Sequence, residues 1–138
     1  MQTRERVMQR LVAISSLLLI STVGASAQGL PVPSYWKDGA GSEMSLHSID
    51  AKGAFTGTFV SHAASFACAN APFDLHGQAH GHHVRFSVVW KNTLADCKSH
   101  TSWSGNVAGN TMHTWWVQTS GEKRAVKKTH GADTFVKQ

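Results

Sequence analysis

Beyond residue 33 the chain alternates apolar and polar positions with a period of two, and no long stretch there carries the period of an amphipathic helix. Residues 86–105, FSVVWKNTLADCKSHTSWSG, show the pattern best. They read as two strands joined by a short turn. On the first, Val84, Phe86, Val88 and Trp90 share one face, and Arg85, Ser87 and Lys91 share the other. On the second, Ser99, Thr101 and Trp103 lie together, with His100 and Ser102 opposite. The tryptophan faces are the ones that must be buried. The second of them also turns two hydroxyls inward, which a plain packing core has little use for. A ligand pocket needs such groups, because its apolar walls require a few placed hydrogen-bonding atoms to orient what it holds.

The same alternation predicts strands at Ser34–Lys37, Glu43–Ile49, Ala54–Ser61, Phe73–Ala79, His83–Lys91, Ser99–Val107, Thr111–Thr119 and Arg124–Val136, the last with an irregular middle. Turn residues separate them at Asp38-Gly39, Asp50 to Gly53, His80-Gly81, Ala108 to Asn110 and Ser120-Gly121. Short strands at this spacing form either a sandwich or an up-and-down barrel. The inward tryptophans favour the all-β, eight-stranded antiparallel up-and-down barrel, whose lumen is wide enough for one small ligand.

The first residues belong to a different pattern. Arg4, Arg6 and Arg10 precede an apolar run from Leu11 to Ile20, and Ala25-Ser26-Ala27 has the small-x-small form of a cleavage site. The run is too short to span a bilayer comfortably. Residues 1–27 are therefore expected to be a cleaved signal peptide, leaving 28–138 as one secreted or periplasmic domain. No later segment is apolar enough to cross a membrane. Export in turn makes a disulfide the default for the two cysteines, Cys68 and Cys97. Closing a loop of about 30 residues would stabilise the fold by roughly 3–4 kcal/mol in the chain-entropy model. The net charge of the whole chain is +5, but its basic residues are scattered. The one cluster, Lys123, Arg124, Lys127 and Lys128, lacks interleaved aromatics and reads as a solvated strand end, not a nucleic-acid stripe.

An ordered set of short motifs resembles the avidins, the biotin-binding barrels that include streptavidin. The set runs through Trp36 with Gly41-Ser42, Gly53-Ala54-Phe55-Thr56-Gly57-Thr58, Val89-Trp90-Lys91-Asn92, Ser99-x-Thr101-x-Trp103-Ser104-Gly105, Thr114-x-Trp116, Thr119-Ser120-Gly121 and Gly131-x-Asp133-Thr134-Phe135. The resemblance implies non-covalent biotin binding with no cofactor and no turnover. It implies that Trp90, Trp103 and Trp116 wall the bicyclic ring, that Thr101 faces its sulfur, and that Ser99 meets the valerate carboxylate with help from the loop around Ala64 and Ser65. Ser61 and Asp133 would accept the two ureido N–H groups, and Ser42 would donate to the ureido oxygen. The bond to an ionised Asp133 would be the strongest of these.

Two positions depart from the family pattern. Asp38 stands where the family has an asparagine donor to the ureido oxygen, and Phe59 stands for a tyrosine donor. Losing the tyrosine bond should weaken binding by about 1–2 kcal/mol. An ionised Asp38 would repel the oxygen; it could donate only as the acid, which burial favours. The resemblance also bears on assembly. Tetrameric avidins lend a neighbouring subunit's tryptophan from the stretch before Gly-x-Asp-Thr-Phe, and Arg124 to Lys128 holds none. Dimeric bacterial avidins lack it too and bridge the loops after strands three and five, where Cys68 and Cys97 fall. A homodimer is expected, with the bridge pinning the loop over the pocket and Phe66 as an aromatic lid or as packing on the bridge.

Trp36 has no implied ligand contact and is expected to plug the barrel end, while Trp115 points away from Trp116 and, with Val117, suits an interface. Two other readings stay open. Asp38 and Phe59 would suit the same barrel binding a biotin analogue, a peptide or another small ligand. Alternatively, His76, His80, His82 and His83, among nine histidines, would suit an exported metal-binding protein, although no cysteine or carboxylate completes a closed site and a polar hairpin turn accounts for them better. Asp38 and Asp133 could in principle be a catalytic pair. No nucleophile elbow or phosphate-binding glycine loop accompanies them, so no enzymatic function is expected.

Overall fold

A computed structural model describes residues 29–138. The expected signal peptide lies outside the described residues. The strands are β1 (Ser34–Lys37), β2 (Glu43–Ile49), β3 (Ala54–Val60), β4 (Pro72–His80), β5 (His83–Lys91), β6 (Asp96–Ala108), β7 (Thr111–Ser120) and β8 (Lys127–Lys137). They form a closed barrel in chain order. Every neighbouring pair is antiparallel, and β8 closes on β1 through Trp36↔Lys137 and Lys37↔Val136. Closure leaves no sheet edge, which removes the aggregation hazard of an open strand.

Alternation decides which residues fill the barrel. Along β5, Val84, Phe86, Val88 and Trp90 are buried and the residues between them are not. Along β6, Thr101, Trp103, Gly105 and Val107 are buried in the same way. The core continues through Met44, Leu46, Phe55, Phe73, Leu75, Met112 and Phe135. Phe86 stacks on Trp103 at 5.0 Å and 12°. Trp36 is fully buried, and its Nε1 donates to Ser34 Oγ at 2.7 Å, so its one polar atom is satisfied.

Strand ends differ from the sequence expectation at a few places, each for a local reason. β6 begins at Asp96 instead of Ser99, because Asp96 pairs with Lys91 across a bulge and its Oδ1 accepts from Lys98 N–H at 2.9 Å. β8 begins at Lys127 instead of Arg124. Residues 121–125 form a turn, with Ala125 N–H donating to Glu122 O at 2.8 Å and Gly121 at φ +100°. The expected irregularity within β8 is absent: its ladder to β7 is unbroken from Lys127 to Val136. A Cβ at Gly131, within this unbroken stretch, would sit 2.5 Å from Trp116 Cζ2. The glycine makes room for the indole.

Candidate functional site

The strands leave one end of the lumen unfilled. The space is about 350 Å³ and is lined by Asp38, Ala40, Ser42, Phe59, Ser61, Ala63, Ala64, Ser65, Phe66, Trp90, Thr101, Trp103, Trp116, Gln118 and Asp133. This lies within the size range of small-molecule sites, and most of the wall is apolar. Trp90, Trp103 and Trp116 come from β5, β6 and β7, so three adjacent strands each supply one indole. Phe59 of β3 packs against two of them, at 5.0 Å from Trp103 and 5.9 Å from Trp90. Where a tyrosine would offer a hydroxyl, Phe59 offers only ring.

Hydrogen bonds fix the indoles and, through them, the polar atoms of the wall. Trp90 Nε1 donates to Thr101 Oγ1 at 2.8 Å, and Gln118 Nε2 donates to the same oxygen at 3.2 Å. With both lone pairs of Oγ1 engaged, the Thr101 hydroxyl proton is left to be donated. Trp103 Nε1 donates to Asp133 Oδ2 at 2.9 Å, leaving Oδ1 open. Ser42 is buried, and its Oγ accepts from His62 N–H at 3.0 Å, so its hydroxyl proton also remains free to donate. Ser61 Oγ accepts from Ala63 N–H at 3.2 Å.

The two carboxylates are held differently. Asp133 is half-buried on β8. Burial pushes its carboxyl above the usual carboxylate range, the Trp103 indole N–H pulls it down, Asp38 pushes it up further, and the Trp116 indole pulls it down. Asp38 sits in the turn between β1 and β2. Its Oδ1 accepts from Ala40 N–H at 2.9 Å and from Ser42 N–H at 2.8 Å, the self-bonding turn that aspartate favours.

The loop between β3 and β4 covers part of the space. Cys68 and Cys97 are joined in a disulfide, tying this loop to the start of β6. Phe66 of the loop meets Trp90 edge-to-face at 4.9 Å and lines the cavity, so it does more than pack on the bridge. Eleven of the twelve residues that sequence reasoning placed at the site are on the cavity wall. Ser99 is the exception. It does not line the space, and its Oγ is buried with no partner. Gln118 was missed. It sits two residues beyond Trp116 on β7, so strand alternation places it on the same inward face.

The histidines go elsewhere. His80 and His83 pair at the β4–β5 hairpin, around Gly81 at φ +57°. Among the described residues, no three histidine, cysteine or carboxylate side chains converge.

Fold and site together define a class: a closed antiparallel barrel whose aromatic-walled lumen takes one small, partly polar ligand. The chain belongs to the Avidin family, whose profile matches residues 26–138. Afifavidin of Afifella pfennigii is 35% identical over 116 residues, covering 80% of this chain and 72% of that protein. Among solved structures, the short afifavidin–biotin complex superposes with a TM-score of 0.73 at 34% identity, covering 83% of this chain and 95% of that one. The rhizavidin–biotin complex does so at 0.72 and 30%, covering 78% and 92%. Apo shwanavidin gives 0.72 and 32%, covering 80% and 98%.

Proposed function

We propose that this protein binds biotin non-covalently in the barrel lumen, one molecule per chain, without turnover. The observation that carries this reading is the cavity of about 350 Å³ in which Trp90, Trp103 and Trp116 face an open carboxylate oxygen of Asp133. Rigid indoles bury a flat bicycle at little entropic cost. Asp133 Oδ1 accepts one ureido N–H and Ser61 Oγ the other. Ser42 donates to the ureido oxygen, and the Thr101 hydroxyl points its proton at the ring sulfur. The acyl tail runs out beneath the loop that carries Ala63, Ala64 and Ser65. Asp38 and Asp133 serve binding here and not proton transfer to a reacting group.

The mature protein is a secreted or periplasmic domain after loss of residues 1–27. The Cys68–Cys97 bridge supports an oxidising compartment. It assembles as a homodimer, and the outward Trp115, 74% exposed, and Val117, 45% exposed, support a contact through β7. Neither nucleic acid nor a membrane is a partner of the mature chain.

Titration calorimetry of biotin into mature, oxidised protein tests the reading. Saturation at one biotin per chain is expected. Folded protein that gives no heat with biotin would overturn it.

A further inference from the structure

The corner of the cavity near Asp38 sets two carboxylates against one free hydroxyl proton, that of Ser42. Asp38 Oδ1 is committed to the Ala40 and Ser42 amides, at 2.9 and 2.8 Å. Those two bonds fix the carboxyl group and leave Oδ2 as its remaining acceptor, on a residue that lines the space. Asp133 brings a second open carboxylate oxygen, since only its Oδ2 is taken by Trp103. Phe59 contributes no donor, and among the described residues no lysine or arginine lines the cavity. Trp90, Trp103, Trp116, Phe59 and Phe66 supply the aromatic part of the wall, and aromatic faces attract cations.

This wall treats two ligand heads of the same shape differently. A cyclic urea carries two N–H donors and one oxygen acceptor. Its donors suit Asp133 and Ser61, but its oxygen, which takes one bond from Ser42, also meets an acceptor at Asp38. A cyclic guanidinium replaces that oxygen with a nitrogen bearing hydrogens, so it donates on every side and adds a positive charge. Its third nitrogen would give Asp38 Oδ2 a charge-assisted bond, the stronger kind.

We propose that this cavity takes a cyclic guanidinium head in preference to the corresponding cyclic urea, and that Asp38 sets the preference. The inference rests on the biotin reading and names the ligand class that the same site favours. Asp38→Asn is the informative change. Its side-chain oxygen keeps both turn bonds, while its amide nitrogen puts a donor where Oδ2 was.

The test is calorimetry at neutral pH with biotin and with its guanidinium analogue 2-iminobiotin, on the parent chain and on Asp38→Asn. The parent is expected to bind 2-iminobiotin at least as tightly as biotin. Asp38→Asn is expected to swing the ratio of the two affinities toward biotin by about ten-fold or more, the size of a charge-assisted bond gained by one ligand and lost by the other. A parent that prefers biotin by ten-fold or more would overturn the proposal while leaving the biotin reading intact. So would an unchanged ratio in folded Asp38→Asn. Failure of both ligands to bind would overturn both. If Asp38→Asn does not fold, the parent's own ratio decides.

Discussion

Asp133 illustrates how a carboxylate on the cavity wall weakens the fold that carries it. Its carboxyl is raised above the usual range, chiefly by burial and against the pull of the Trp103 indole. A raised acid holds its proton more tightly in the folded chain than in the unfolded one. Between the two values the unfolded chain binds fewer protons, so stability falls as pH climbs through that window. Above it the full penalty of an ionised, half-buried group is present. Asp133→Asn keeps an oxygen for Trp103 and removes the charge. The ligand-free variant should therefore melt higher than the parent at neutral pH, and the gain should shrink as pH drops below the ordinary carboxylate range. Biotin affinity should fall by about ten-fold or more, because a charge-assisted acceptor becomes a neutral one. Differential scanning calorimetry across pH, paired with biotin titration, checks both halves. A lower melting temperature at neutral pH would show that the Asp133 charge stabilises the barrel.

At the scale of elements, the loop between β3 and β4 does for the pocket what the strands do for the core. It is shaped by specific bonds: Asn70 N–H to Ser61 O at 2.8 Å, Ala69 N–H to Phe66 O at 3.0 Å, and His62 Nδ1 with Asn70 Oδ1 at 2.7 Å. Ser65 and Asn70 both sit in the left-handed region, at φ 62° and 63°, which a free loop of these residues would seldom hold. The Cys68–Cys97 bridge fastens the loop to β6 and keeps Phe66 on Trp90 before any ligand arrives. Replacing both cysteines with alanine should lower stability by roughly 3–4 kcal/mol. It should also speed biotin dissociation more than it slows association, since ordering the loop would then fall to the bound state. Stopped-flow and chase kinetics separate the two rates; an unchanged dissociation rate would mean that the loop's own hydrogen bonds suffice to hold it. The strands themselves were legible because one face of each is buried, which leaves a period of two in the sequence. Gln118 obeys that period too, yet its place was not read, since a glutamine at an inward position carries no signal until Thr101 is seen beside it. Ser99 shows the converse. Alternation turns it inward, but which stretch of an inward face meets the cavity depends on strand stagger and on the loop above.

For the molecule as a whole, closing the sheet disposes of every edge and leaves its outer face to account for. Most of that face is polar, but β7 raises two large apolar side chains from it. Trp115 is 74% exposed and Val117 45%. In the sheet register Trp115 stands between Ser104 and Ala132, and Val117 between Ser102 and His130, so small residues flank the indole on both sides. A large ring raised above small neighbours makes a knob with a shallow surround. Two copies related by a two-fold axis could bury both knobs at once, because a two-fold contact places the same patch on each partner. Trp115 does not line the cavity, so a change there should leave the pocket's own residues in place. Trp115→Lys places a charge at the centre of the patch without touching the cavity wall. Light scattering after gel filtration should then give twice the chain mass for the parent and the chain mass for the variant, each still binding one biotin per chain. A parent that runs as a monomer at tens of micromolar (a concentration at which an interface of standard size is saturated) would sink the dimer. A Trp115→Lys chain that remains dimeric would move the contact to another face of the barrel.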